Sequence, residues 1–343
     1  MKYLSTFSGI GGFELGIGEH HECVGYSEID KYAVQIYQKH FPTHHNYGDI
    51  THIHAEELPD FDLLVGGFPC QSFSIAGKRG GFADTRGTMF FELARILEAK
   101  RPRLFVFENV KGLLSHDEGR TFNTIITTLD ELGYDLQWQV LNSKNHGVPQ
   151  NRERVFIIGH LRGTPRPQVF PFLGADSKDS DAGRLYEGNE GRLSQSEERP
   201  EEVEYSRNSC DEARGDSPLY ERGTPTINQL NHPTHSNDRV YGADGISPTL
   251  NTMQGGNRQP FILARNQRSE VRKMHISGTV PASRSSKQFQ LVNGVRRLTP
   301  TECERLQGFP DGWTEGVSDT QRYKTLGNAV TVNVIRDICE KLL

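Results

Sequence analysis

At 343 residues the chain has the length of two domains of ~150 residues each rather than of one small binding module. A hydrophobic content of 34% with 35 glycines suits an ordinary globular core; no apolar run approaches the ~18 residues of a membrane helix and Met1–Ser5 lacks a signal-peptide layout, so a cytoplasmic protein with no membrane partner is expected. Five scattered cysteines without a C-x-x-C pair argue against a disulfide framework and a zinc knuckle, and the net charge of −5 argues against nucleic acid only if it is evenly spread.

Through Gly159 the chain alternates between two textures. Tyr3–Phe7, Cys23–Tyr26, Phe61–Gly66, Leu104–Glu108 and Val155–Gly159 read as strands, with helical spacing over Phe13–Ile17, Lys31–His40, Thr88–Lys100 and Thr121–Leu132. Strands separated by helices predict parallel βαβ units. The fold class is therefore α/β: a doubly wound, Rossmann-like, mostly parallel sheet whose ligand chemistry sits in loops at the carboxyl ends of its strands. This gives a first domain over 1–172. Residues 173–217 are poor in large apolar side chains, and Gly174–Ser217 holds 13 acidic against 6 basic residues, the composition of a flexible acidic insertion or linker. The charge then reverses. Pro218–Leu298 holds 11 basic against 4 acidic residues, a block able to neutralise phosphates whatever the whole chain carries. Residues 218–293 read as a smaller, loop-rich, β-containing domain with short β-type pieces at Ile246–Leu250, Phe261–Leu263 and Gln288–Val292. Residues 294–343 return to the first domain, with helical spacing at Leu298–Leu306 and Asn328–Leu343.

The loop Phe7-Ser8-Gly9-Ile10-Gly11-Gly12 lies between a strand and a helix, where glycines let a ligand approach the backbone. Glu14 stands where the last glycine of a dinucleotide G-x-G-x-x-G fingerprint would be, which favours a smaller adenosine ligand. Glu28, ending the second strand, is a candidate for ribose hydroxyls, and Asp49 for the adenine edge. In Gly66-Gly67-Phe68-Pro69-Cys70-Gln71-Ser72-Phe73-Ser74 a cysteine follows the carboxyl end of an apolar strand; its thiolate is a candidate carbon nucleophile. Glu108 closes the apolar run Leu104–Phe107 as a candidate proton donor. In Gln150-Asn151-Arg152-Glu153-Arg154 the two arginines are two apart, so on an extended chain they share a face and aim two cations at one site. His52-x-His54 matches no standard ligand spacing, and no metal is expected.

In order along the chain, Phe7–Gly12, Pro69–Gln71, Glu108–Val110, Gln150–Arg154, Arg296–Pro310 and Gly327–Val330 resemble the motifs of the DNA cytosine-5 methyltransferase family, in its bacterial or phage form with a single target recognition region. Two positions depart from the pattern: Ser5 where many members have aspartate, and Ala76 where some have serine.

The resemblance implies transfer of a methyl group from S-adenosyl-L-methionine to carbon 5 of cytosine in a specific double-stranded DNA sequence. Cys70 would add to carbon 6, Glu108 would meet N3 and the exocyclic amine, and Arg152 and Arg154 would steady the flipped nucleotide and the carboxylate. The cysteine cannot reach a stacked base, so base flipping is required. The cofactor would lie over Phe7, Gly9, Gly11, Gly12, Glu28, Asp49, Pro69 and Asn328. Gln71, Ser74, Lys78 and Arg86 would contact DNA, and the Ser72–Arg86 loop reads as a lid. Residues 218–293 would be the target recognition domain, with Thr249 and Leu250 in its signature and Gln254, Asn257 and Arg258 as candidate base readers. A monomer without an obligate protein partner, serving restriction-modification or a phage, completes the expectation. The competing readings are a transfer-RNA cytosine-5 methyltransferase, a non-catalytic DNA-binding protein of the same fold, and a nicotinamide oxidoreductase, the last disfavoured by Glu14 and the Pro69-Cys70-Gln71 loop.

Overall fold

The computed structural model describes residues 1–69, 89–172, 184–186, 229, 240–241, 246–250, 261–263 and 295–343. Strand and helix alternate as the spacing predicts through β1 (Lys2–Thr6), α1 (Gly12–Ile17), β2 (Glu22–Ser27), α2 (Lys31–His40), β3 (Leu63–Gly67), α3 (Met89–Lys100), β4 (Leu104–Val110) and α4 (Arg120–Glu131). There follow β5 (Tyr134–Asn142), β6 (Gln150–Asn151), β7 (Glu153–Leu161) and the short strands β8 (Arg184–Tyr186), β9 (Val240–Tyr241), β10 (Ser247–Pro248), β11 (Phe261–Leu263) and β12 (Val295–Arg297). Three helices close the chain: α5 (Pro300–Gln307), α6 (Asp319–Asn328) and α7 (Val332–Leu342).

One seven-stranded sheet has the order β2-β1-β3-β4-β7-β5-β8. β2, β1, β3 and β4 pair in parallel; β7 opposes β4, β5 opposes β7 and β8 opposes β5, so five of the seven strands run one way. The sheet is mostly parallel, but its last strands are not the βαβ units expected from Val155–Gly159. β5 is absent from the expected strands because its polar residues are buried. Gln137 accepts from the backbone N–H groups of Val169 and Phe170 and donates to the Pro167 carbonyl, while Gln139 pairs in the same way with Phe172. Those amides satisfy a tail of chain lying over the strand, so polarity there marks no solvent face.

Period-2 alternation divides the sheet residues between two apolar layers. Leu4, Leu64, Phe105, Phe107, Val155 and Ile157 join α3 and α4 through Phe90, Leu93, Leu97, Ile125 and Leu129. Tyr3, Leu63, Val65, Leu104, Val106, Phe156 and Ile158 join α1 and α7 through Phe13, Ile17, Val334, Ile335 and Ile338. A third cluster ties Ile10, Ala33 and Ile36 to Leu250, Leu306, Phe309, Trp313 and Leu326, so the carboxyl-terminal return closes over the first glycine loop. The helical spacing of Asn328–Leu343 resolves into the end of α6, a break at Ala329–Thr331, and α7. Smaller sheets join β10 to β6 in parallel and β9, β11 and β12 in a three-stranded unit. The expected strand Gln288–Val292 lies outside the described residues, as does most of 173–217 and 218–293.

Candidate active site

Parallel register brings the ends of β1, β2, β3 and β4 to one edge. Thr6 faces Ser27 and Gly66, and Gly67 faces Glu108, so the loops beginning at Phe7, Glu28 and Phe68 open side by side, next to Glu108 near the end of β4. Phe7 adopts φ 50° and Gly9 φ 56°, turning the chain sharply before Gly11 (φ 88°) caps α1. A non-glycine residue in this region carries about 1–3 kcal/mol of strain, which the surrounding packing must offset. Two contacts hold the loop: Gly9 N–H donates to Glu28 Oε2 at 2.9 Å, and the Trp313 indole donates to the Ile10 carbonyl at 2.8 Å. Glu28 Oε1 accepts from Ile29 and Asp30 N–H at 2.8 and 2.7 Å. Asp49 caps the short helical turn Ile50–His52 through the Thr51 N–H and hydroxyl, bonds that hold its carboxyl below the usual range. Asn328 is exposed at the end of α6 between buried Gly327 and Ala329, and Pro69 is exposed at the end of the β3 loop.

Glu108 and Arg154 meet across the β4–β7 pair. Arg154 Nε lies 2.9 Å from Glu108 Oε1, and both side chains are largely buried. Gly67 lies beside this carboxyl; a Cβ built there would come within 3.1 Å of Glu108 Oε2. The next residue, Asn109, donates from its buried amide to the Phe68 carbonyl at 2.8 Å, fixing the turn that leads toward position 70.

Arg152 makes no described hydrogen bond to Glu108, although the charges of Glu108 and Arg154 both act on it. The extended chain is interrupted between β6 and β7, with Arg152 N–H donating to the Gln150 carbonyl, so strand alternation does not carry through that position. Its guanidinium, 2% exposed, turns inward to the main-chain carbonyls of Leu250, Gly327 and Ala329. Burial pushes its pKa down to about 9.

Among the recognition residues, exposed Thr249 donates to the Asn151 carbonyl at 2.6 Å and buried Leu250 donates its N–H to Gln150 Oε1 at 3.1 Å. Cys70, Gln71, Ser74, Lys78, Arg86, Gln254, Asn257 and Arg258 lie outside the described residues, as does Ala76.

The family model for C-5 cytosine-specific DNA methylase matches residues 1–343. The chain belongs to this family. It is 38% identical to the type II methyltransferase M.NgoBI of Neisseria gonorrhoeae, over 99% of this chain and 93% of that one, and 34% identical to the orphan methyltransferase M.SPRI of Bacillus phage SPR, over 100% and 97%. The fold resembles that of a Spodoptera frugiperda DNMT2 variant, with TM-score 0.63, 19% identity and 99% of both chains covered. A putative DNA modification methyltransferase encoded in an Escherichia coli prophage gives 0.60 at 18% identity, over 100% and 98%.

Two residues of the methylase edge were not named from sequence, and a third was named without its burial. Trp313 pins the glycine loop from 303 residues away, a distance no local pattern reports. Ile29 is 73% exposed directly after Glu28, an apolar surface beside the polar loop. Glu14, in the place of a fingerprint glycine, is a buried acid: its Oε1 accepts from the Tyr37 hydroxyl at 3.0 Å, it lies beside fully buried Ser5, and burial pushes its pKa up to about 7. Among the described residues, no group of three or more His, Cys, Asp or Glu could hold a metal ion, and no helix is long and apolar enough to cross a membrane.

Proposed function

We propose that this methylase acts on carbon 5 of cytosine within a specific sequence of duplex DNA, with Cys70 as covalent nucleophile and Glu108 against the base. The carrying observation is the Glu108–Arg154 pair, held beside the turn that leads into Cys70. Membership of a methylase family implies S-adenosyl-L-methionine, and the residues at the sheet edge fit an adenosine group. A Cβ at Gly9 or Gly48 would meet no described atom within 4 Å, leaving open backbone where Gly9 N–H meets Glu28, which Ile29 follows. Phe7, Gly9, Gly11, Gly12, Glu28, Asp49, Pro69 and Asn328 would hold it. When bound, it supplies an electrophilic methyl group.

The chain's own groups prepare the base. The Cys70 thiolate adds to carbon 6, which raises electron density at carbon 5; the Glu108 carboxyl bonds N3 and the exocyclic amine, and Arg154 fixes that carboxyl in place. After methylation, loss of the carbon 5 proton and expulsion of the Cys70 sulfur restore the aromatic ring. The base must leave the duplex for the sulfur to reach it. We assign 218–293 to target recognition, 173–217 to a linker, and 1–172 with 294–343 to catalysis. The relatives' type II and orphan designations support a role in restriction-modification or in phage DNA protection.

Labelled methyl transfer to duplex DNA, run beside RNA, followed by bisulfite sequencing, tests activity and motif together. Cys70→Ala should abolish transfer while retaining DNA binding, and a duplex carrying 5-fluorocytosine should trap the wild type, because fluorine does not leave carbon 5 as a proton does. Methylation of RNA alone, or trapping that persists without Cys70, would overturn the reading.

A further inference from the structure

A guanidinium 2% exposed has lost most of its hydration, and the bare cation is costly to hold in the interior unless its donors are satisfied. The carboxylate nearest in role, Glu108, is paired with Arg154. Among the described residues, the hydrogen-bond partners of the Arg152 guanidinium are main-chain carbonyls. Nη1 donates to Leu250 and Gly327 at 3.3 Å each; Nη2 donates to Gly327 at 3.3 Å and Ala329 at 2.8 Å. Nε is buried and has no described partner. All four contacts are hydrogen bonds, the one to Ala329 the shortest, so the fork joins all three carbonyls.

The carbonyls belong to two different segments. Leu250 is held to the methylase core through both of its main-chain polar groups, its N–H by Gln150 Oε1 and its carbonyl by Arg152, while Thr249 bonds the Asn151 carbonyl and Ser247 N–H the Pro149 carbonyl. Gly327 and Ala329 flank exposed Asn328, and Gln307 holds the same turn by donating to the Leu326 carbonyl at 2.8 Å. One rigid, forked cation therefore touches the segment that carries Thr249 and Leu250 and both neighbours of Asn328. The planar fork holds its acceptors in one fixed relative geometry, which the flexible stem of a lysine ammonium would not.

We propose that Arg152 is a positioning residue that couples target engagement to the cofactor site: movement of Leu250 when DNA is bound is carried by the guanidinium to Gly327 and Ala329 and so sets the position of Asn328. This rests on the reading of Asn328 as a cofactor residue and of Thr249–Leu250 as part of the recognition segment. A coupling of this kind is reciprocal and is read as a ratio of affinities, ~5–150-fold in typical cases.

Calorimetric titration of S-adenosylhomocysteine into the full-length protein, alone and with saturating duplex DNA containing a site methylated by the wild type, gives that ratio. The wild type should bind the product about tenfold tighter with DNA. Arg152→Lys, which keeps the charge but cannot span Leu250 and Ala329 together, should bring the ratio close to one. Thr249→Val, which loosens Leu250 from the other side, should lower it without removing the arginine, and carries the test if the lysine variant does not melt cooperatively. A ratio unchanged in both folded variants, or a ratio of one in a wild type that methylates DNA, overturns the coupling. Absence of methyl transfer by the wild type would fail the functional reading instead, and it appears in turnover, not in the affinity ratio.

Discussion

The two halves of the central sheet contribute to one edge by opposite means. In the parallel half, β2, β1, β3 and β4 deliver loops from their carboxyl ends: the glycine loop, the Glu28 turn, the turn after Gly67, and Glu108 itself. In the other half β7 runs backwards, so its beginning lies at that same edge, with Arg154 opposite Val110 and Phe156 opposite Glu108. A parallel strand in that place would carry its first residues to the far edge. Reversal is what lets a sequence 46 positions after Glu108 supply its cation without a long loop. The lesson is that the edge, and not the strand direction, is what the chemistry needs.

The largest expected effect breaks the parallel half's contribution. Glu108→Gln keeps the shape of the side chain and removes the acid, so single-turnover methylation should fall ~10²–10⁴-fold with a smaller change in cofactor affinity. An unchanged rate would remove Glu108 from the chemistry and leave its pairing with Arg154 as architecture only.

Next in size is the reversed half's contribution. Arg154→Lys keeps a charge but loses the rigid Nε–H that lies 2.9 Å from Glu108 Oε1. One charge-assisted hydrogen bond is worth about 1.5–3 kcal/mol, so turnover should drop roughly ten- to a hundredfold. If both substitutions combined cost no more than Glu108→Gln alone, Arg154 acts only through that carboxyl; additive losses would give it a contact of its own with the base.

Much of this arrangement is legible in the sequence, and the parts that are not have physical reasons. The first charged residue after an apolar run marks Glu28, just past β2, and Glu108, near the carboxyl end of β4, because charged side chains enter a core strand only toward its ends. The inward turn of Arg152 is not legible because two-residue spacing implies a shared face only on an unbroken strand, and the chain breaks there. β5 is hidden by Gln137 and Gln139, whose amides are consumed by the backbone of 167–172 rather than by water. The division of Asn328–Leu343 into α6 and α7 has no proline to announce it; it rests on carbonyls held by Arg152 and Gln307 from distant parts of the chain. Trp313 and the glycine loop are likewise a tertiary fact.

A pH-dependent prediction sharpens the parallel half further. Glu14 lies beneath the glycine loop with its Oε2 buried and without a described partner, and burial raises its pKa from 4.5 to about 7. The folded state thus holds this proton more tightly than the unfolded chain does. The stabilisation it provides is present below about pH 4.5 and is lost as pH rises to about 7, by ~1.4 kcal/mol for each unit of displacement. Glu14→Gln, neutral throughout, should flatten that share of the slope and gain on the wild type at pH 8 relative to pH 5. Denaturant melts of both proteins at the two pH values decide it, and parallel curves would mean that Glu14 titrates alike in both states.

The smallest effect concerns α5, which joins β12 to the return segment outside both halves of the sheet. Thr299 Oγ1 accepts from Glu302 N–H at 3.2 Å and Glu302 Oε2 accepts from Thr299 N–H at 2.8 Å, a reciprocal cap. Thr299→Ala removes the first of these bonds and the hydroxyl's donation to Glu302 Oε2 at 3.1 Å, but keeps the Thr299 N–H bond, and Glu302 keeps Arg296 on both oxygens at 2.6 and 2.7 Å. The loss should therefore be about 1 kcal/mol, a shift of a few degrees in Tm, with the methylated motif and the rate at saturation unchanged. Bisulfite profiles and a thermal melt on one preparation separate the two readouts. A changed motif with an unchanged Tm would place the start of α5 in target recognition, and the comparison between the sheet's halves would then need a third region that reads DNA from the carboxyl-terminal return.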